Sequence, residues 1–524
     1  MENEGTQAKA TPGNCTLHSP AGRWVLAATL LASAASFILW SAVAVALPAI
    51  QSHFNATIAG LQWVVNSHLL TLAALLLIGG SLGDHHGRRR IFIIGMVVFA
   101  TGAALSGMAR SINVLIAFQA LQGIGSALMV PQSLAIINAC FPSKERGRAI
   151  GLWAGISGGI AALGPWVGGS LVDSLGWQAV FWMPVPVIAL ALAVSIRFVP
   201  ENRDVETSRL DWPGTVCVLL ALLGISYGLI SGPSAGWNSP PVMGGLIGGA
   251  AALAAFIVIE LRTSAPLIPL EIFRDPLVSG ANTVTLVLYF ALNGVMLFTV
   301  LNLQQAQGYS PTEAGMRILP PIIIITFLAA PAGTLADRIG PRPQMIGGPA
   351  LVATGAALLM IGDAGATYAA HFLPGLFAVG IGMSFVIAPL TKSALTVEMR
   401  HSGSASGVNN AIARTAGLLA VAVLGAVMLA TFTPALNAAL QASALTPQEQ
   451  MAIMLEYDKL GGIPIPDSFS DTARSIARAA IQDSFIHSYR WAMGVCAVLA
   501  LAGSVVSFFT IHQPDQPSDE ATGT

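Results

Sequence analysis

GSLGDHHGRRR occupies residues 80–90, between an apolar run that ends at Ile78 and another that begins at Ile91. GTLADRIGPR repeats its spacing of glycine, leucine, aspartate, glycine and arginine at residues 333–342, again after an apolar run. The two aspartates, Asp84 and Asp337, lie 253 residues apart (337 minus 84). A charged turn made twice at so long an offset points to duplication of a whole half of the chain.

The 524 residues are 54% hydrophobic and only 9% charged, against about 25% charged in a soluble domain. Lipid is the solvent that suits this composition. The net charge of −1 favours neither nucleic acid nor acidic partners. The 54 glycines suit helices whose backbones approach closely in a membrane. Cys15, Cys140, Cys217 and Cys496 are scattered, with no metal-type spacing, and read as thiols buried in helices. The lysines are Lys9, Lys144, Lys392 and Lys459, and none follows a glycine. A phosphate-binding loop, and with it ATP drive, is therefore not expected. No catalytic motif or cofactor site is legible either.

A spanning helix needs about 20 mostly apolar residues, and fourteen stretches qualify. Six fall near 24–48, 60–82, 91–109, 112–139, 149–171 and 178–196. Two follow near 213–232 and 241–259. Six more lie near 277–301, 316–336, 344–362, 368–391, 409–432 and 491–511. The expected fold is an all-α polytopic membrane protein, with 14 transmembrane helices arranged 6+2+6. The repeated turn follows the second helix of each six. The lysines and arginines of the short loops collect on one side: Arg88–Arg90, Lys144, Arg146, Arg148, Arg197, Arg203, Arg209, Arg262, Arg274, Arg338, Arg342, Lys392 and Arg400. That side is expected to be cytoplasmic, with both termini inside. The divisions are a tail at 1–22, a bundle at 23–200, linker helices at 201–275, a bundle at 276–511 and a tail at 512–524. The stretch 433–490 reads as a polar extracellular loop, with 472–482 an exposed helix.

Within the first turn, Gly80 and Gly87 allow close backbone approach and left-handed φ. Asp84 is short enough to accept backbone N–H groups at a neighbouring helix N-terminus. A contact of that kind, worth about 0.3–1 kcal/mol, suits a gate that must release.

The repeated turn resembles the signature loop of the major facilitator superfamily. LQWVVNSHLL (61–70), LIAFQALQGIGSALMVPQ (115–132), LGPWVGG (163–169) and LDWPG (210–214) narrow the likeness to its fourteen-helix drug:proton antiporter family. YGLISGPSAGW (227–237), LPGLFAVGIGMSFVIAPLTKSAL (373–395) and GVNNAIARTAGLLAVAVLGAV (407–427) extend it. The resemblance implies two pseudo-symmetric six-helix bundles that rock around a central cavity and so export small amphipathic molecules across the plasma membrane, with protons as the coupling ion. It implies gating by Gly80, Asp84, Gly87 and Arg88, by Gly333, Asp337, Arg338 and Gly340, and by Gly164, Pro165, Gly168 and Gly169. It also exposes two departures. Leu39 stands where the family carries an aspartate, and Gln119 where it carries an arginine.

No Asp or Glu lies well inside a span; Asp363 and Glu260 sit at ends. His68 and Arg414 are the internal titratable groups. His68 is the proton-coupling candidate, with a packing role as the alternative. Arg414 is expected near the cytoplasmic side, snorkelling or paired with the gate. Polar stripes at helical spacing mark the cavity wall: Ser36 and Trp40, Gln119 and Gln122, then Asn282, Tyr289 and Asn293. Interhelical hydrogen bonding is their alternative role. A wall of amides, hydroxyls and rings without fixed negative charge suits a neutral amphipathic cargo. An uncoupled facilitator and a non-transporting sensor built on a transporter fold remain open alternatives.

Overall fold

The computed structural model describes residues 15–202, 211–263, 266–268, 270–394 and 402–511. Arg203, Arg209 and Arg400, and the tails 1–14 and 512–524, lie outside the described residues. Among the described residues, thirteen helices are long and apolar enough to cross a membrane.

The first group comprises α1 (Pro20–Phe54), α2 (Ile58–His86), α3 (Arg88–Gly107), α4 (Ile112–Cys140) and α5 (Ser143–Leu175). A bent span follows, α6 (Gln178–Trp182) and α7 (Pro184–Phe198), interrupted where Pro184 starts a new helix. Side-chain caps set the entries. Ser19 accepts from Gly22 N–H, Thr57 from Gly60 and Ser111 from Val114. The hairpin of α8 (Trp212–Ala235) and α9 (Pro240–Arg262) leans through α8 on α2 and α16. Asp211 caps α8, and buried Glu260 accepts Ile268 N–H at 3.0 Å.

The second group comprises α10 (Pro276–Leu301), α11 (Pro311–Arg317), α12 (Leu319–Ile339), α13 (Pro341–Leu358), α14 (Tyr368–His371), α15 (Leu373–Ala394), α16 (Ser402–Gln441), α17 (Pro447–Met454) and α18 (Asp471–Thr510). α13 is not among the thirteen: it opens on Pro-Arg-Pro-Gln, which leaves too short an apolar stretch.

The stretch 433–490 departs from its reading as a polar loop. α16 runs on to Gln441, and residues 472–482 are not a separate exposed helix but the first turns of α18. Ala473, Ala477, Ala480, Ile481, Phe485 and Tyr489 form a buried stripe there. Arg474 and Arg478 lower the mean hydropathy and hide it. Only about 442–470 is left as a strap between the two helices. The four cysteines are free; Cys140 and Cys496 are buried in helices and Cys217 is half-buried in one, while Cys15 is buried ahead of α1, where its N–H donates to the Cys140 carbonyl at 3.3 Å.

Candidate functional site

Both copies of the repeated turn reverse the chain at one glycine of positive φ, Gly87 at 103° and Gly340 at 83°. Gly80 does not serve as expected. It is helical, and a Cβ there would touch only Pro131 at 3.9 Å. The close approaches are at Gly79, where a Cβ would overlap the Ala127 carbonyl, and at Gly83, where it would overlap the Gln132 amide. Asp84 does not cap a neighbouring helix. Its carboxylate pairs with Arg88 at 2.8 Å. The acceptor at the α3 N-terminus is Glu201, whose Oε1 takes Arg89 N–H at 3.1 Å, while the Asn202 carbonyl takes Arg88 N–H at 2.8 Å. In the second copy Gly333 lies within α12, and Asp337 and Arg338 are exposed near its end.

The Leu-Gly-Pro stretch of α5 faces both groups. A Cβ at Gly164 would strike Ser41 of α1, and one at Gly168 would come within 2.7 Å of Ala42. On the other flank, Gly169 lies against the Pro311 backbone, and Gly315 of α11 lies against the Pro165 carbonyl. Asp173 Oδ2 accepts Thr312 N–H at 2.9 Å, so α5 caps a helix of the opposite group. Further ties lie on this same side. Gln304 donates to the Val45 carbonyl at 3.0 Å, Gln305 to Gln51 at 2.7 Å, and Gln51 to the Lys459 carbonyl of the strap at 2.9 Å. Nearer the basic side, Gly147, Gly151, Gly155, Gly158 and Gly159 of α5 have nothing within 4 Å of a Cβ. The two groups are thus clasped at the strap side, while α5 towards the arginine-rich turns faces open space among the described residues; there α2 and α16 still approach, a Cβ at Gly407 falling 2.9 Å from Leu77.

Three chambers adjoin at Trp40, between the groups. The largest, about 390 Å³, is bounded by Tyr289 and Asn293 of α10 and by Asn409, Asn410 and Arg414 of α16. A second, about 200 Å³, is mainly apolar, with Val43, Met296, Val300 and Ile318 in its wall. The third is a cleft of about 20 Å³ between Ser36, Phe37, His68 and Arg414. His68 stacks on Trp40 with ring centroids 6.4 Å apart.

Of the seven residues expected to line a cavity, Ser36, Trp40, Tyr289 and Asn293 do so here. Gln119, Gln122 and Asn282 line none of these chambers. Gln119 Nε2 donates to Ser106 of α3 at 3.0 Å and to Gln122 Oε1 at 2.9 Å. Asn409 donates to Asn282 at 3.1 Å and to Thr285 at 2.8 Å, tying α16 to α10. Gln119 and Asn282 are thus tied to neighbouring helices and act as interhelical glue rather than wall, while Gln122 is bonded only to Gln119 within α4 and its Nε2 has no partner among the described residues. Leu39 is 2% exposed, in the core. Replacing Gln119 by leucine removes its bond to Ser106 of α3 and is therefore expected to lower thermal stability by about 1 kcal/mol and to leave cargo affinity unchanged. Weakened binding at unchanged stability would return Gln119 to the wall.

Arg414 is the main correction. It lies in the chambers, its guanidinium carbon 5.9 Å from the Phe37 ring, and not paired with the gate. The wall is therefore not uncharged. Its signal was in the sequence: a lone arginine within a span is by default a functional candidate. Asn409 and Asn410 were also missed; they share its helix face at one-turn spacing.

Two helical groups around a polar chamber, with the repeated turns at one side, define a membrane carrier. A sequence model of the Major Facilitator Superfamily matches residues 29–421, and the chain belongs to that family. It is a multi-pass membrane transporter. Among its relatives, the multidrug resistance protein Stp of Mycobacterium tuberculosis (strain CDC 1551 / Oshkosh) is 33% identical over 474 residues, 88% of this chain and 87% of Stp. The tetracenomycin C resistance and export protein of Streptomyces glaucescens is 31% identical over 91% of this chain and 90% of its own. The methylenomycin A resistance protein of Bacillus subtilis (strain 168) is 31% identical over 82% and 91%. These names agree with the drug:proton antiporter resemblance. The fold is similar to a bacterial homologue of the human lysosomal transporter Spinster, with a TM-score of 0.67 at 15% identity over 95% of this chain and all of that one (100%). It is also similar to the xylose transporter XylE of E. coli, with a TM-score of 0.55 at 14% identity over 95% and 98%.

Proposed function

We propose that this transporter exports small amphipathic compounds by alternating access, coupled to inward proton movement. The observation that carries the reading is the chamber between the two groups, clasped on one side and open along α5 on the other. The resistance and export functions named for the relatives support the direction. The arrangement is fourteen helices as 6+2+6, with α13 as the span that composition alone does not admit. α8 and α9 are the extra pair, and the two groups are the pseudo-symmetric bundles. The basic side and both termini face the cytoplasm, and the strap faces outside the plasma membrane. Asp84 with Arg88, Asp337 with Arg338, the turn glycines Gly87 and Gly340, and Gly333 of α12 form the cytoplasmic gate. Gly164, Pro165, Gly168 and Gly169 form the outer seal. Ser36, Trp40, Tyr289 and Asn293 contact cargo.

His68 is the proton-coupling group. It lines the cleft beside Arg414, and its Nδ1 has no hydrogen-bond partner among the described residues. In liposomes holding the purified protein, an imposed pH gradient is expected to drive cargo accumulation with matching proton flux. His68→Gln is expected to abolish the gradient's effect and to spare downhill exchange. Accumulation indifferent to the gradient in the native protein favours the second reading, an uncoupled facilitator. That reading draws on the lack of any Asp or Glu in the chamber walls among the described residues.

A further inference from the structure

We infer that the chamber is an anion site: the cargo carries a carboxylate or similar acidic group, and Arg414 is its counter-charge. The assignment deepens the exporter reading, on which it rests for the movement of cargo though not for its binding.

Arg414 lies inside the span Gly407–Gln441, and among the described residues no carboxylate or other acceptor meets its guanidinium. A charged side chain at the centre of a span costs at least about 2.5–3.5 kcal/mol on insertion scales. Such a cost is normally offset by an acidic partner or by solvent in a cavity. Among the described residues its charged end lies 5.9 Å from the Phe37 ring and within electrostatic reach of Tyr289 and His68, none of them an anion. The rest of the fork faces the chamber. Guanidinium is a fixed cation whose planar donors match a carboxylate two to two.

The surroundings select further. Asn409, Asn410, Asn293 and Tyr289 ring the same volume of about 390 Å³. The adjoining chamber of about 200 Å³ is mainly apolar. Trp40 and Asn293 stand in the walls of both. An acidic head at Arg414 thus leaves an aromatic or aliphatic body to extend past Trp40 towards Met296 and Ile318. Without a carboxylate in those walls among the described residues, a cationic cargo meets the Arg414 charge with no counter-ion to offset it.

Three dansyl probes that share a fluorophore and differ in charge test this on the full-length protein in liposomes: dansylglycine, its methyl ester and dansylcadaverine. The native protein is expected to bind the acid about tenfold or more tighter than the ester, a ratio in keeping with a charge-assisted fork, and the amine most weakly. Arg414→Gln is expected to bring acid and ester to equal affinity, and Arg414→Lys to keep part of the preference. Equal binding of acid and ester by the native protein, preference for the amine, or binding of none of the three overturns the anion site. Arg414→Gln and Arg414→Lys losing acid and ester alike also overturns it, by assigning Arg414 to the fold or gate. Transport of the ester in preference to the acid sinks the site and leaves the exporter standing. Binding of the acid without movement of any probe leaves the site and sinks the exporter.

Discussion

Gly315→Val is expected to stop transport and to hold the cavity open to the strap side. A Cβ at Gly315 would overlap the Pro165 carbonyl, a backbone atom of a proline-bearing helix. Across the same seam, Gly169 meets the Pro311 backbone. Neither neighbour is a side chain that can swing away. The clash exists only while the two bundles are clasped, so the variant penalises one state and spares the other. Overpacking costs about 1–3 kcal/mol, which moves a two-state balance by roughly 5–150-fold. Alternating access needs both states populated, so the rate falls with the lost one. The readout is labelling of Val300→Cys, in a background without the four native cysteines, by an impermeant maleimide added on the strap side. Labelling is expected to rise at least about fivefold in Gly315→Val. Gly244→Val on α9 is the control, because a Cβ there has nothing within 4 Å. Equal labelling and transport in the two variants would remove the seam from the gate.

Much of this was legible in the sequence, because a bilayer imposes few choices. Apolar length marked thirteen long helices among the described residues, and the repeated turn marked two chain reversals, at Gly87 and Gly340. Two kinds of information were not legible. Direction around a helix was one: Gln119 and Tyr289 both belong to polar stripes, yet only Tyr289 faces the chamber. Which face meets water depends on the neighbouring helix, and single-chain periodicity holds no trace of it. Long-range partners were the other. Glu201 takes the capping role expected of Asp84, from a point 117 residues further along (201 minus 84). The first turns of α18 were misread for a third reason. A buried alanine stripe flanked by arginines has low hydropathy although it packs well.

The strap should prove a second lock on the same state, and Lys459→Met is expected to loosen it without stopping transport. Lys459 is 3% exposed, its ammonium paired with Glu456 and donating to Asn55 at the end of α1. Its carbonyl takes Gln51 Nε2, and Gln51 in turn accepts from Gln305 of the other bundle. One residue thus joins the strap to both bundles. Methionine keeps the length and removes the charge, and Glu456 is open enough to water to go unpaired at little cost. The loss is a hydrogen bond from a charged donor, about 1.5–3 kcal/mol, so strap-side labelling of Val300→Cys should rise roughly tenfold. No backbone collision is created, so both states stay populated and transport continues. Acidity should act in the opposite direction. Burial raises the Asp458 carboxyl above its usual range, and the Lys459 ammonium only partly reverses this. The docked strap therefore holds that proton more firmly than a released one. Docking is favoured at pH below the ordinary carboxylate range and weakens as pH rises through the raised value. Maleimide labelling also accelerates with the thiolate fraction as pH rises, so each rate is divided by that of the denatured protein at the same pH; the corrected labelling should climb across that window in the native strap and stay flat in Asp458→Asn. A pH response that survives Asp458→Asn would assign the sensitivity to another group.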